Sequence, residues 1–142
     1  MTKRYVCALL LSTLISSCAT LERSPRSNSA ADGDGYVAPS KLNELRDSYD
    51  GQRVRVRGWM RSAFENYAIW DSEDSAKKGK FSTHCVALGI PDSMDTSGLD
   101  KKFVEMEGIF LKELPLGVIQ LGACNYTVLN LDPDRPPMKA SE

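Results

Sequence analysis

A chain of 142 residues has room for one domain with flexible ends, and its 18 Lys and Arg against 19 Asp and Glu give a formal charge of −1. This balance disfavours a nucleic-acid-binding protein, which normally carries a clear basic excess. We therefore expect a single small domain and no nucleic acid among its partners.

The first residues predict a secretory signal. Lys3 and Arg4 form a basic start, and residues 6–15 form an apolar segment too short to span a bilayer permanently. Residues 14–18, Leu-Ile-Ser-Ser-Cys, then place a small residue directly before a cysteine. This pattern resembles the lipobox of bacterial lipoproteins, and the resemblance implies a signal peptide over residues 1–17 and lipidation of Cys18. An ordinary secretory signal cut elsewhere is the alternative.

The lipoprotein resemblance also implies where the protein resides. Acyl chains on Cys18 would anchor it to a membrane, because each buried CH₂ contributes roughly 0.8 kcal/mol. Residue 19 is Ala rather than Asp, which by family analogy favours the bacterial outer membrane, with the domain facing the periplasm. Removal of residues 1–17 leaves 16 basic against 19 acidic residues, a formal charge of −3, which again disfavours nucleic acid.

Cysteine usage agrees with export. Once Cys7 is removed and Cys18 is lipidated, Cys85 and Cys124 remain as an even pair in an oxidising compartment. We expect a disulfide that closes a loop of about 40 residues and stabilises the fold by roughly 3–4 kcal/mol. Free thiols, or a metal site that recruits His84, are the alternatives, although the C-x-x-C spacing of zinc sites is absent. No cofactor is expected.

The flanks of the domain are predicted from composition. Residues 18–37 carry almost no apolar side chains and predict a disordered tether, in which residues 19–37 reach roughly 24 Å r.m.s.. Residues 39–49 predict a short helix capped by Ser40, whose apolar stripe would lie on the open end of the β-domain. The proline-rich tail, residues 132–142, is predicted to be disordered.

The strongest structural signal is the alternation that follows Asp50-Gly51. Its two faces are Val54, Val56, Gly58 and Met60 on one side and Arg53, Arg55, Arg57, Trp59 and Arg61 on the other. Period-two alternation is typical of a strand with one face on a core. Further strands are predicted over 66–71, 84–90 and 103–111, with a last strand or strand pair over 118–121 and 126–131. Residues 72–81 are expected to form an exposed loop, and residues 93–101 a loop with at most one helical turn.

Five short strands with turn signals between them favour a small closed barrel. The run from Val54 to Trp59, Val-Arg-Val-Arg-Gly-Trp, resembles the first hairpin of OB-fold domains, including the anticodon-binding domains of some aminoacyl-tRNA synthetases. The resemblance implies the strand order 1-2-3-5-4-1, which would bring Cys85 near Cys124 and the arginines toward Glu105 and Glu107. The sequence departs from the family pattern because its one good helix precedes strand 1. The fold-class prediction is a mainly β protein with a five-stranded OB-like barrel over 38–131 and one short N-terminal helix.

One face of the predicted barrel is a candidate binding face. Its residues are Arg53, Arg55, Arg57, Trp59, Tyr67 and Trp70. A cationic face with aromatic side chains can bind a glycan, a peptide carboxylate or another anionic group. The alternative is that the arginines form cross-strand pairs with Glu105 and Glu107. An exposed Trp59 would favour binding, and a fully paired arginine row would favour a structural role.

Catalytic signals are weak. His84 is the only histidine, and no nucleophile elbow, H-E-x-x-H motif or phosphate-binding loop is present. We therefore expect no catalytic residue, no metal and no enzyme. Three hypotheses remain: a lipid-anchored envelope binding or adaptor module for a protein, peptide or glycan; a structural or assembly accessory lipoprotein without a ligand; and a hydrolase that uses two converging carboxylates.

Overall fold

The computed structural model describes residues 33–63, 66–80, 83–114, 122, 124 and 127–141. The predicted signal peptide, the predicted lipidation site Cys18 and the predicted tether up to residue 32 lie outside the described residues. The predicted strand over 118–121 and residues 125–126 also lie outside them. The described part is a mainly β protein with a closed barrel of five strands and a few short helices.

The elements follow one another in a simple order. They are α1 (Pro39–Glu44), α2 (Arg46–Tyr49), β1 (Arg53–Ala63), β2 (Asn66–Trp70), α3 (Glu73–Lys77), β3 (Cys85–Gly89), a 3₁₀ turn (Ser97–Leu99), β4 (Phe103–Leu111), β5 (Val128–Leu131) and β6 (Met138–Lys139). The sheet order β1-β2-β3-β5-β4 is closed by an antiparallel pairing of β4 with β1. Among the strands that the structure describes, β3 and β5 pair in parallel and the other pairs are antiparallel. This is the predicted strand order, and the fold-class prediction is confirmed.

Strand β1 is long enough to pair with two other strands. Most of the strand pairs with β4, and its last five residues pair with β2. Gly58 permits this change of partner, because a Cβ atom there would lie 2.3 Å from the backbone oxygen of Trp70. Trp59 is shared by both pairings and lies opposite Trp70 in β2 and Phe103 in β4.

The predicted alternation of β1 separates core from surface. Val54, Val56 and Met60 point inward and are at most 6% exposed. They join a core contributed by every long strand, with Ile69, Val86, Val104, Phe110 and Leu129 among its members. The opposite face of β1 carries the arginines and Trp59, as the sequence predicts.

The two short helices before β1 pack on the barrel core. Leu42 is fully buried and Tyr49 is 2% exposed, so the apolar stripe predicted for residues 39–49 does lie on the β-domain. The helix is divided, however, because Leu45 leaves helical geometry with φ −109° and ψ 30°. These helices cover the core from before β1, and the connection between β3 and β4 holds only the 3₁₀ turn.

Side-chain hydrogen bonds fasten α1 to the barrel. The amide of Asn43 donates to the backbone oxygen of Cys85 at 2.9 Å, and its own oxygen accepts from the Thr127 hydroxyl at 2.8 Å. The prediction that Ser40 caps this helix is wrong. Ala38 occupies the N-cap position, and its side chain makes no capping hydrogen bond. The backbone N–H of Ser40 instead donates to the side chain of Asp71, the residue after β2, at 2.8 Å.

The segment 72–81, predicted to be a loop, contains helix α3. Ser72 caps it by accepting from the backbone N–H of Ser75 at 3.1 Å, and ion pairs one turn apart join Glu73 to Lys77 and Asp74 to Lys78. A capping serine followed by acidic residues, with lysines four positions later, is a helix signal that the sequence carries. The prediction of a loop followed from the many lysines in this segment and overlooked the helix signal.

The two ends of the domain extend beyond the predicted boundaries 38 and 131. Residues 33–37, assigned to the tether, lie on β1, where the backbone N–H of Val37 donates to the oxygen of Arg55 at 2.8 Å. The tail was predicted to be disordered, yet Met138–Lys139 forms β6 and pairs with β4. Its prolines cluster before β6, at residues 133–137, so they do not prevent this short pairing.

The disulfide prediction is confirmed, since Cys85 and Cys124 are joined with a Cα–Cα distance of 5.8 Å. The bond belongs to a second, smaller apolar cluster on the outside of the sheet, which also contains Trp59, Trp70 and Val128. Within the described ranges, no helix is long and apolar enough to cross a membrane.

Candidate binding surfaces

The first candidate surface is the arginine wall, which we define as Arg53, Arg55 and Arg57 on the outer face of β1. The antiparallel register places Arg55 opposite Glu107 and Arg57 opposite Glu105 in β4. Opposite charges at such positions attract across the ladder. The carboxylates of β4 therefore lie beside the arginine wall and balance its positive charge.

Both ends of the described chain add further carboxylates to the arginine wall. Arg57 lies 2.7 Å from a Glu105 oxygen and 2.5 Å from Asp34, which precedes the barrel. Arg53 pairs with Asp132, which follows β5. The cross-strand pairing stated as the alternative to a binding face is thus present, and the chain termini reinforce it.

Tyr36 occupies the space between two arginines of the wall. The guanidinium carbons of Arg55 and Arg57 lie 4.1 and 4.4 Å from the centre of its ring, a distance suited to cation–π attraction. Its hydroxyl accepts a hydrogen bond from Arg55 and donates one to Glu105. The bond from Tyr36, followed by the bonds from Arg57, lowers the pKa of Glu105, and the same bond to Glu105 raises the pKa of Tyr36.

A hollow of about 340 Å³ lies between the arginine wall and the tail. Its charged groups come from Arg55, Glu105, Glu107, Asp134 and Arg135, and Met138 is among its apolar groups. Arg135 already pairs with Glu107 at 2.5 Å, so the tail itself neutralises part of this hollow. The arginine wall and its hollow thus contact the chain segments that flank the barrel.

The second candidate surface lies farther along β1. We call it the tryptophan groove, an open depression of about 410 Å³ lined by Trp59, Arg61, Asn66, Trp70, Glu73, Ala76, Lys77 and Lys101. The outer faces of β1 and β2 form one side of it, because these residues alternate with inward-facing Met60 and Ile69. Helix α3 forms the other side. The groove therefore depends on the helix that the sequence prediction missed.

The charges that line the groove are predominantly positive. Arg61, Lys77 and Lys101 face one carboxylate, that of Glu73. Arg61 lies 3.5 Å from Asp100, and Lys77 lies 3.0 Å from Glu73. Among the described residues, Lys101 forms no ion pair, and it is also the only non-glycine residue with a positive φ, 56°. A left-handed conformation is unfavourable for a side chain with a Cβ and occurs often at functional sites.

Asn66 adds a polar group of a different kind. Its side-chain oxygen is buried and has no hydrogen-bond partner among the described residues. Buried acceptors of this type usually find a partner, and when the fold supplies none a water molecule or a ligand can do so. The groove thus combines a cation and a hydrogen-bond acceptor.

The six residues of the predicted binding face separate into three places. Trp59 and Trp70 reach the groove, but they are only 8% and 2% exposed and mostly pack in the outer apolar cluster. Tyr67 is 40% exposed and points to the opposite side of β2, because it alternates with Asn66 and Ala68. The three arginines remain in the wall. Lys77, Lys101 and Asn66 were not part of the predicted face.

His84 forms a hydrogen bond that helps to hold α1 against the barrel. Its Nδ1 donates to Asp71 Oδ2 at 2.5 Å, while the other oxygen of Asp71 accepts from the backbone N–H of Ser40. One carboxylate thus ties the start of β3 to the start of α1. Within the part of the chain that the structure describes, no group of three or more His, Cys, Asp or Glu side chains could hold a metal ion.

The chain matches no protein-family model, no curated protein and no solved structure with which it was compared.

Proposed function

We propose that this protein is a lipid-anchored binding or adaptor module of the bacterial cell envelope, and that its ligand site is the tryptophan groove. The observation that carries the proposal is the positive lining of an open groove of about 410 Å³. A groove of this size accommodates a short segment of a protein, peptide or glycan.

The groove is favoured over the arginine wall because its polar groups are less fully used. In the wall, Arg53 and Arg57 pair with carboxylates of the chain itself. In the groove, the described residues offer no ion pair to Lys101 and no donor to the oxygen of Asn66. A ligand that carries an anionic group would pair with Lys101.

The envelope location in this proposal comes from the sequence. The lipobox-like residues 14–18 support export and anchoring through Cys18, and the outer membrane facing the periplasm is the proposed place. The net charge of the mature chain, −3, supports a partner other than nucleic acid. We propose a non-enzymatic role, since His84 is engaged with Asp71 in joining α1 to β3.

Site-specific photo-crosslinking in living cells tests the groove. A photoreactive residue would replace Lys77 or Lys101, which are exposed at the groove, and a matched control would replace the exposed Tyr67 on the other side of β2. Trp59 is unsuitable because it is buried. A discrete adduct from both groove positions but not from position 67 supports the proposal, and mass spectrometry then identifies the partner class. Equal adducts, or none, at all three positions would overturn it.

A second candidate function is a structural or assembly accessory lipoprotein without a ligand. The observation that favours it is the ion-paired arginine wall together with the burial of Trp59. Absence of a specific adduct from positions 77 and 101, in a protein that is exported and folded, would favour this candidate.

A further inference from the structure

The tail completes one edge of β4. Strand β5 pairs with residues 108–111 of β4, and β6 pairs with Val104 and Glu105 farther along the same edge. The backbone N–H of Ala140 donates to the oxygen of Phe103 at 3.0 Å, which continues this second pairing. The edge of β4 over residues 103–105 is therefore covered by the segment that follows the barrel.

The tail reaches this position by a detour. Leu131 lies opposite Gly108 and Met138 lies opposite Glu105, so seven positions of the tail correspond to three positions of β4. Residues 133–137 form the turn that absorbs the difference, and three of them are prolines. Proline has no backbone N–H to donate to a sheet. The tail is therefore attached to β4 on either side of a turn whose prolines add no pairing.

The side chains of the tail contact the barrel mainly through exposed groups. Arg135 lies 2.5 Å from Glu107, yet its side chain is 63% exposed, and Met138 is 62% exposed. Among residues 132–141, only Pro137 is buried. An exposed ion pair contributes little to stability, and a segment with few buried apolar contacts opens at a low free energy. Because the tail follows β5, the last barrel strand in the chain, it can leave β4 while the barrel stays intact.

Departure of the tail would uncover a site that is already shaped. The hollow of about 340 Å³ has Tyr36 and Glu105 on the side of the arginine wall. The side chain of Glu107 is only 13% exposed, and its Oε1 lies 3.4 Å from Arg53 while its Oε2 pairs with Arg135. A mostly buried carboxylate oxygen is unfavourable once it loses its cation. The uncovered site would therefore require a cation at Glu107 and a strand along residues 103–105.

We infer that the edge of β4 and its hollow form a peptide-binding site, which the tail covers and which an extended segment of a partner protein occupies by displacing the tail. The partner's segment would pair with residues 103–105 as an added strand. The tail shows the chemistry that fits, a basic residue at Glu107 and an apolar residue three positions later, in the places of Arg135 and Met138. The site does not involve the tryptophan groove, so it goes beyond the function proposed above.

Amide hydrogen exchange tests whether the tail opens independently of the barrel. The protein is the chain from residue 18 onward with Cys18→Ser, which removes the free thiol. We expect the N–H of Ala140 to exchange about 100-fold faster than the N–H of Ala87, which donates to Thr127 in the barrel, after correction for intrinsic rates. Similar exchange at the two positions would show that the tail opens only with the barrel and would overturn the inference.

Arg135→Glu tests the replacement of the tail by a peptide, because the new carboxylate would lie beside Glu107 and release the tail. The probe is a fluorescein-labelled peptide with the sequence of residues 132–141, and its binding is followed by fluorescence anisotropy. We expect a Kd about tenfold lower for this variant than for the unsubstituted protein, because its own tail no longer competes. Lys139→Glu is the matched control and should bind as the unsubstituted protein does. It makes the same change in charge on an exposed tail residue, but position 139 lies opposite Val104, on the other face of the ladder.

The order of the side chains in the probe tests specificity. A peptide with its Arg and Met exchanged should bind the Arg135→Glu variant about tenfold more weakly. Glu107→Gln in the same background should weaken the original peptide by a similar factor. Equal binding of the two peptides, or binding of neither, would overturn the inference. An Arg135→Glu variant without cooperative thermal unfolding would also overturn it, because the tail would then be part of the barrel.

The probe has the sequence of the tail, so a second copy of the chain is the competing occupant. Sedimentation equilibrium of the unsubstituted protein distinguishes the two, and we expect a monomer. A dimer that Arg135→Glu disrupts would assign the site to the tail of a second copy and overturn the inference of a partner protein. The groove crosslinks use Lys77 and Lys101, so either proposal can fail while the other stands.

Discussion

Tyr36 donates a hydrogen bond to Glu105, a residue 69 positions later in the chain. The bond joins the segment before the helices to the middle of β4, across the arginine wall. Because Arg55 and Arg57 also lie against the tyrosine ring, the end of the predicted tether is attached to the barrel rather than free.

Replacement of this tyrosine should loosen the N-terminal attachment. Tyr36→Ala removes two hydrogen bonds and two cation–π contacts, and we expect the free energy of unfolding to fall by about 1–2 kcal/mol. Amide hydrogen exchange should accelerate at Val37, whose N–H bonds to β1. Tyr67→Ala, at an exposed position, should change stability by less than about 0.5 kcal/mol. Equal effects of the two substitutions would contradict the attachment.

The hydrogen bond from Tyr36 to Glu105 should make the stability of the protein depend on pH under acidic conditions. The pKa of Glu105 is lowered from its ordinary value of 4.5, so its ionised form is favoured in the folded protein. Its stabilising contribution is complete above that value and is lost as the pH falls through the lower, folded pKa. Thermal unfolding followed from pH 6 to 3 should show this loss, and Glu105→Gln should reduce it. A variant with the same acid dependence as the unsubstituted protein would rule out Glu105 as its source.

Gly58 should tolerate no larger residue. A Cβ atom there would lie 2.3 Å from the backbone oxygen of Trp70, so Gly58→Ala must shift β2 or β1 and should cost about 3 kcal/mol. Gly98 is a suitable control, because a Cβ atom added there meets nothing within 4 Å. Urea unfolding of Gly98→Ala should give a midpoint close to that of the unsubstituted protein. If Gly58→Ala unfolds at the same midpoint as well, the close approach of β1 and β2 is not required.

The disulfide should be a major source of stability. It joins residues 39 positions apart, and a cross-link of that span stabilises by about 4 kcal/mol in the chain-entropy account. Replacement of Cys85 and Cys124 by serine should lower the free energy of unfolding by that amount in chemical denaturation. Cys18→Ser in the mature chain is the control and should leave it unchanged. A loss below about 1 kcal/mol in the double variant would contradict the entropic account.

The sequence was most informative where burial imposes a period. In β1, the alternation of Val54 and Val56 with arginines predicted the strand and its inner face, because a slip of one residue would turn every side chain to the other face. Its partners in β4 were implied by the resemblance to OB-fold domains. The disulfide followed from the number of cysteines and from the strand order. These features depend on patterns contained within short segments.

The tryptophan groove could not be predicted in the same way. It exists because α3 lies beside the outer faces of β1 and β2, which places Lys77 and Lys101 near Asn66 although the three are distant in sequence. The order of the tail was missed for a similar reason. Met138 and Lys139 pair only because β4 extends past β5 and offers them a free edge, a property that composition does not express.

The position of β5 between β3 and β4 has a consequence for how the protein matures. Both neighbours of β5 precede it in the chain, and its residues, Val128–Leu131, come last among the barrel strands. A chain that crosses a membrane from its N-terminus cannot close the barrel until nearly all of it has crossed. Until then β3 and β4 expose unpaired edges, and such edges favour aggregation. Under the export proposed above, the barrel therefore stays open until its last strand has crossed.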